Sequence, residues 1–559
     1  MTTFADTLLL GGSIYDPGTD GSRPGGVAIS AGRILAVGDG AELLGLRGPE
    51  TEIVRTDGRM VIPGFQDAHV HPVQGGIEML QCDLTGATSA GHCLEIVAEY
   101  AAAHPEEAWI IGSGWSSEHF PAGVPSLAAL DAVVADRPVV LGNRDHHGSW
   151  VNSTALRLAG ITRETPDPVD GRIGRDAQGE PDGNLYEGAM LLVRGLQPEI
   201  TVDLARRGTL ESQRYLHSLG VTAWQDAILG YDLDPELPMG AYLEAERRGE
   251  LTMRVTGCFW WERGRGVDQI PGMIAARDRM AVGMSPEHWR GSGIKIMVDG
   301  VTESFTAALH EPYRDACGHV LENRGISFFD ADDLKQHVAA LDEAGFTVHF
   351  HALGDRAVTE ALDAVEAARA ANPESDRPHH LAHLQLVDPS DLPRFAELGA
   401  VANLQMLWAS HAPANDELTI PFVSPSHAPR LYPFGELHAA GAELAAGSDW
   451  PVSTPDPLAA IHVGVNRVDG ADGSRPFGGA VQKLDLATAL TAYTAGTAKV
   501  NGHAHETGRL LPGYLADLAV IDRDLFAIDP LQIGEARVVR TYVGGALVHS
   551  DEGASGTAA

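Results

Sequence analysis

Apolar and polar positions follow more than one rhythm along this chain. Residues 1 to about 62 alternate short apolar runs with turn residues, as in TLLLGGSIYDPG, GVAISAGRILAVGDG and EIVRTDGRMVIPG, which is the texture of small antiparallel strands. The last fifty residues return to it in GRLLPGYLADLAVIDRD and RVVRTYVGGALVHSDEG. The two ends are therefore expected to join into one β-sandwich domain, 1–62 with 505–559. The closing DEGASGTAA has nothing to bury and is expected to fray.

Between the ends the pattern changes to apolar strands separated by helical segments, the alternation of a parallel α/β architecture. Eight strands can be counted: VIPGFQDAHVH, VTAWQDA, MRVTGCFWW, GSGIKIMVDG, FTVHFHALG, HHLAHLQLV, AVANLQM and ELAAGSDWP. Eight is the number that closes a TIM-like (β/α)8 barrel, expected over 63–77 and 196–504. ADDLKQHVAALDEAG and RAVTEALDAVEAARAAN, flanking the fifth strand, carry apolar residues at three- and four-residue spacing and predict helices. More than a hundred residues separate the first two strands, too many for a connection. They predict an inserted α/β subdomain over 78–195. The long segment WASHAPANDELTIPFVSPSHAPRLYP after the seventh strand reads as a lid.

Composition narrows the function. A chain of 559 residues is long enough for a large core and, at roughly 150 residues per domain, for several units. Forty Lys+Arg against 76 Asp+Glu give a formal charge of -36, which repels nucleic-acid backbones and anionic membrane surfaces. No basic leader and no apolar run of about 20 residues is present, so the expectation is a cytoplasmic protein. The four cysteines lack metal or disulfide spacing and are expected to be buried or semi-buried thiols.

The chemistry sits at the strand ends. In GFQDAHVHP, His69 and His71 lie two apart in an extended segment and so share a face, suggesting a shared cation. In a barrel, functional groups gather at the C-terminal ends of strands. The fourth strand carries Lys295, the fifth His349 and His351, the sixth His383, and the eighth ends in Asp449. Taken singly, each has an ordinary packing or capping explanation; their occurrence in chain order at successive strand ends does not. His349 shares the face of His351, either beneath the site or as barrel packing, while His379 and His380 begin their strand and are expected to be structural. Asp299 and Glu303 are expected to orient a loop. Trp115, Arg144 to His147 and Trp450 are candidates to line a substrate pocket.

PGFQDAHVHP, KIMVDG, HALGDRAV, AHLQ and GSDWPV together resemble the amidohydrolase superfamily, and within it the amidohydrolase family 3 branch that includes N-substituted formamide deformylases. TGRLLPGYLADLAVID and RDHHGSWVNSTAL extend the resemblance over nearly the whole chain. It implies that His69, His71 and Asp449 bind one metal, His351 and His383 a second, and that Lys295 bridges both as a CO2-derived carbamate. An unmodified ammonium only donates and cannot ligate. Zinc suits such a donor set, with Fe, Mn, Co or Ni as alternatives. Asp449, together with His383, is the expected catalytic group.

The implied reaction is hydrolysis of an amide, N-formyl or N-acyl bond of a small molecule, through attack of metal-bound hydroxide with Asp449 as general acid and base. Ester or lactone hydrolysis, decarboxylation or isomerisation at the same site, and a catalytically silent binding or regulatory barrel are the alternatives. Family analogy adds a homodimer.

Overall fold

The computed structural model describes residues 4–144, 148–168, 170–230, 235–470 and 475–551. The tail expected to fray lies outside them beyond Asp551. The chain divides into two compact units, Met1–His71 with Gln213–Ala559, and Pro72–Ser212.

The first unit contains the eight strands of a nearly closed parallel barrel. They are β1 (Phe65–Val70), β2 (Val221–Leu229), β3 (Arg254–Trp260), β4 (Trp289–Met297), β5 (Thr347–Ala352), β6 (His380–His383), β7 (Val401–Leu404) and β8 (Glu443–Ala446). They pair in chain order, each parallel to the next. At the C-terminal ends of β1 and β8 two backbone bonds link the strands' ends: the Asp449 amide donates to the His69 carbonyl at 2.7 Å, and the His71 amide to the Trp450 carbonyl at 2.9 Å. Gly447 is required there, because a Cβ would lie 2.6 Å from the His69 nitrogen.

Alternation explains what the strands present. In β5 the odd residues His349 and His351 share one face, while Val348 and Phe350, both buried, share the other. The two predicted helices form as Ala331–Glu343 and Asp355–Ala371. The first is capped by Asp330, whose side chain accepts from the Asp332 amide at 2.9 Å, and it buries Leu334, Val338 and Leu341.

The two chain ends do pair. Met60–Pro63 runs antiparallel to Leu518–Ile521 within one sheet that also holds Ala5–Ile14, Arg23–Ser30 and Val538–Val543. Leu9, Val27, Val61, Leu518 and Val520 form its core. A buried ion pair ties this sheet to the barrel: Arg254 in β3 donates through Nη2 to Asp517 at 2.8 Å.

The second unit carries its own six-stranded sheet, including Ile110–Trp115, Val139–Asn143 and Gly148–Val151. It runs from Pro72 to Ser212 and so contains the whole of 78–195. Cys82, Cys93 and Cys258 are buried, but Cys317 is exposed, correcting the expectation for that thiol. No helix among the described residues is long and apolar enough to cross a membrane.

The segment read as a lid is anchored. Its turns Pro413–Asp416, Ile420–Phe422 and Ala428–Arg430 meet the loop that follows β4: the Arg314 amide donates to the Phe422 carbonyl at 2.8 Å, and Phe305 packs on Phe422 at 5.1 Å. The buried Arg467 guanidinium donates to the carbonyls of Leu431 and Tyr432 at 2.9 and 3.0 Å.

Candidate metal centre

Asp449 is the hub of the strand-end residues. Its Oδ1 lies 3.0 Å from His71 Nε2 and 3.4 Å from His69 Nε2, and its Oδ2 lies 3.9 Å from His383 Nδ1. One donor atom each from His69, His383 and Asp449 falls within 4.8 Å of the others. The His351 and His383 rings stand 4.5 Å apart, and Lys295 pairs in register with His349 across β4 and β5. All of these except His71 are buried.

Electrostatics prepares the donors. Burial, then the Lys295 ammonium, lowers His69 and His351 to about 3, and burial holds His383 well below the ordinary imidazole range. These rings are neutral at physiological pH and keep a lone pair. Burial acts to raise the Asp449 carboxyl, but His69 and His71 outweigh it and hold the group well below the usual carboxylate range. Burial lowers Lys295 to about 8, against the opposing charge of Asp449.

The donor set fits a divalent metal. His383 Nδ1 is buried and has no hydrogen-bond partner among the described residues, although it faces a carboxylate. His351 Nε2 donates to the Gly300 carbonyl at 3.1 Å, which leaves Nδ1 as the lone-pair nitrogen of the neutral ring. Nitrogen and oxygen donors converging in a buried site suit zinc and its neighbours.

The backbone is bent to serve this arrangement. His383 and Asp449 have φ of 81° and 58°, left-handed values that cost a non-glycine residue about 1–3 kcal/mol and that cluster at functional sites. The His383 amide is held by Gln405 Oε1 at 2.7 Å, and its ring stacks on Trp408 at 5.3 Å and 5°. Asp67 accepts from the amides of His69 and Ser448 at 2.9 and 3.1 Å, bracing both ends of the closure. Asp299 orients its loop, accepting from Ala308, Leu353 and Gly354 at 2.9, 3.1 and 2.9 Å.

A family model described as the amidohydrolase family matches residues 52–549. The chain belongs to the amidohydrolase family. This amidohydrolase is 32% identical to the Arabidopsis thaliana protein LONG AFTER FAR-RED 3 over 97% of its own length and 91% of that protein's. It is 27% identical to the N-substituted formamide deformylase of Arthrobacter pascens, over 99% and 100%. Among solved structures, an uncharacterized metal-dependent hydrolase from Pyrococcus furiosus matches with a TM-score of 0.71 and 26% identity, over 94% and 99%. The amidohydrolase is thus a hydrolase by family, built on the barrel its eight strands predict, and the Pyrococcus furiosus protein that shares this fold is described as metal-dependent.

The remaining site expectations fall in different places. Trp450 is buried and packs on Tyr215 at 5.9 Å. Trp115 and Arg144 belong to the second unit. There Trp115 is core, its indole N–H donating to the Leu141 carbonyl at 2.8 Å and its ring packing on Phe120 at 5.5 Å. Arg144 is exposed and donates to the Thr85 carbonyl at 2.9 Å. His147 lies outside the described residues. His379 is structural, with Nε2 3.0 Å from Asp342, but His380 faces Gln225 inside the barrel at 2.8 Å. Sequence reading missed Gln225, Gln405 and Trp408. The signal for the glutamines was a long polar side chain inside strand segments that are otherwise largely apolar, VTAWQDA and VANLQM.

Proposed function

We propose that this amidohydrolase cleaves a carbon–nitrogen bond, in an amide, N-formyl or N-acyl group, of a small molecule. The observation that carries the reading is the partnerless His383 Nδ1 facing the Asp449 carboxylate, beside His69 and within ligand range of both. The similarity to a formamide deformylase over the full chain supports the choice of bond. In this reading His69, His71, Lys295, His351, His383 and Asp449 hold one or two divalent cations, zinc foremost. A cation bound there supplies a Lewis acid for the carbonyl and acidifies water.

Asp449 is ionised and bonded to His71, so it can accept a proton from the attacking water through a carboxylate oxygen. Water oxygen bonds to the carbonyl carbon, the carbon–nitrogen bond breaks, and Asp449 returns the proton to the leaving nitrogen. His383, stacked on Trp408, keeps its Nδ1 directed at the same place. Lys295, with its pKa near 8, is about one-tenth unprotonated at pH 7, against about 0.03% for an ordinary lysine. That favours addition of its amine to CO2, which gives a carbamate and one proton.

The test is metal analysis of protein purified without chelator, followed by a panel of formamides, N-acyl amino acids, cyclic amides and esters. Near-stoichiometric divalent metal, activity on a nitrogen-containing panel member and its loss on chelation are expected. Bound metal with turnover of esters alone would remove the carbon–nitrogen assignment, and undiminished turnover after complete metal removal would remove the mechanism.

A further inference from the structure

Beneath the proposed ligands, β1, β2, β5 and β6 bring one glutamine and three histidines together. Gln225 Oε1 lies 2.6 Å from His349 Nδ1 and 2.8 Å from His380 Nε2. His349 Nε2 lies 3.0 Å from His69 Nδ1, and His380 Nδ1 lies 3.0 Å from the Pro378 carbonyl. All four side chains are at most 1% exposed. Among the described residues Gln225 Nε2 has no partner, so the amide's hydrogen bonding is concentrated on its other end.

We propose that Gln225 and His349 are positioning residues that select which nitrogen His69 offers to a metal. The inference rests on the metal-centre reading above. A neutral imidazole has one N–H and one lone pair, so fixing one nitrogen fixes the other. With the amide oxygen toward the rings, His349 donates from Nδ1 and must accept at Nε2. His69 then donates from Nδ1, and its Nε2 lone pair is turned toward Asp449, 3.4 Å away. A lone pair aimed at a carboxylate is repulsive unless a cation stands between them.

Turning the amide over reverses each donor. The NH2 group would serve His349 Nδ1 and His380 Nε2, His349 would donate from Nε2 to His69, and His69 would hold an N–H at Nε2 toward Asp449. That pattern also lets a neutral His380 donate to Pro378, which the first does not while His380 donates to Gln225. The metal-free protein therefore has a satisfied, closed arrangement. The ligand-ready arrangement needs the acceptor end of Gln225 at the histidines, and a bound cation selects it.

The experiment measures Zn2+ affinity by chelator competition and the visible spectrum of Co2+-loaded protein for wild type, Gln225→Met, Gln225→Glu, His349→Phe and His69→Ala. Removal of a group that orients a metal-ligating histidine costs about 10–100-fold in affinity. Gln225→Met and His349→Phe are expected to lose that much, with an altered cobalt spectrum. Gln225→Glu, which keeps an acceptor facing both rings, is expected to stay within about threefold of wild type. A packing role would make Gln225→Glu as damaging as Gln225→Met, and that result overturns the proposal, as does Gln225→Met binding like wild type. Should Gln225→Met fail to fold by circular dichroism, His349→Phe against Gln225→Glu gives the same decision. If His69→Ala binds as tightly as wild type, the metal-centre reading itself fails, a result separable from the others.

Discussion

Replacing Lys295 with methionine should stabilise the metal-free protein while abolishing catalysis. Lys295 is 1% exposed within β4, and burial lowers its pKa from 10.5 to about 8 despite the favourable charge of Asp449. A lysine whose folded pKa lies below its unfolded one binds its proton less tightly in the folded state. The charged form therefore costs stability at pH below about 8, and the cost fades as pH rises from 8 to 10.5. The gap between 10.5 and about 8, at about 1.4 kcal/mol per pH unit, corresponds to about 3 kcal/mol. Methionine has nearly the same length and nothing to ionise.

The measurement is denaturant unfolding of chelator-treated, bicarbonate-free wild type and Lys295→Met at several pH values between 7 and 10.5. The stability of the variant relative to wild type should be about 3 kcal/mol greater at pH 7 than at pH 10.5. Other groups that titrate in this range are common to both proteins and largely cancel. A difference that stays level with pH, or grows toward pH 10.5, would show that Lys295 enters the folded state without a desolvation cost and would remove the argument for its easy conversion to a carbamate.

Asp449→Asn keeps an oxygen donor but loses the proton acceptor, so turnover should fall by about 10^2–10^4 while part of the metal remains; kcat unchanged in metal-replete protein would remove the proton role. Trp408→Ala takes away the ring stacked on His383 at 5.3 Å and should weaken metal binding about two- to tenfold, read by chelator competition, with no change if the stacking is incidental. Asp517→Asn leaves the buried Arg254 guanidinium without its carboxylate and should cost about 3–5 kcal/mol in thermal or denaturant unfolding. Arg254→Met combined with Asp517→Leu should recover much of that loss, whereas a double variant as unstable as the single one would contradict the ion-pair explanation.

The sequence was most informative where one strand suffices to read a residue. His69 and His71, or His349 and His351, show their shared faces by spacing alone, and the eight apolar segments announce the barrel. What escaped depends on neighbours brought together by closure. Gln225 meets His349 across 124 positions, and Gln405 meets the His383 amide across 22, so a polar side chain within a strand segment marks each as unusual but names neither partner. Trp115 is a further case: an aromatic beside glycine and serine resembles a pocket wall, and its indole bonds a carbonyl 26 positions away inside the core of the second unit, a partner no local pattern names. His380 begins its strand, which gives the expectation of a structural role, but its inward face reaches the layer beneath the ligands.

The pairing of Met60–Pro63 with Leu518–Ile521 also sets an order of events during synthesis. The opening strands leave the ribosome long before their partners exist. At about 5–20 residues per second, that edge stays open for about 20–90 seconds. Throughout this interval the nascent chain carries an unfinished sheet beside a growing barrel, so shortening the final fifty residues should harm yield through aggregation even though none of the proposed metal ligands lies among them.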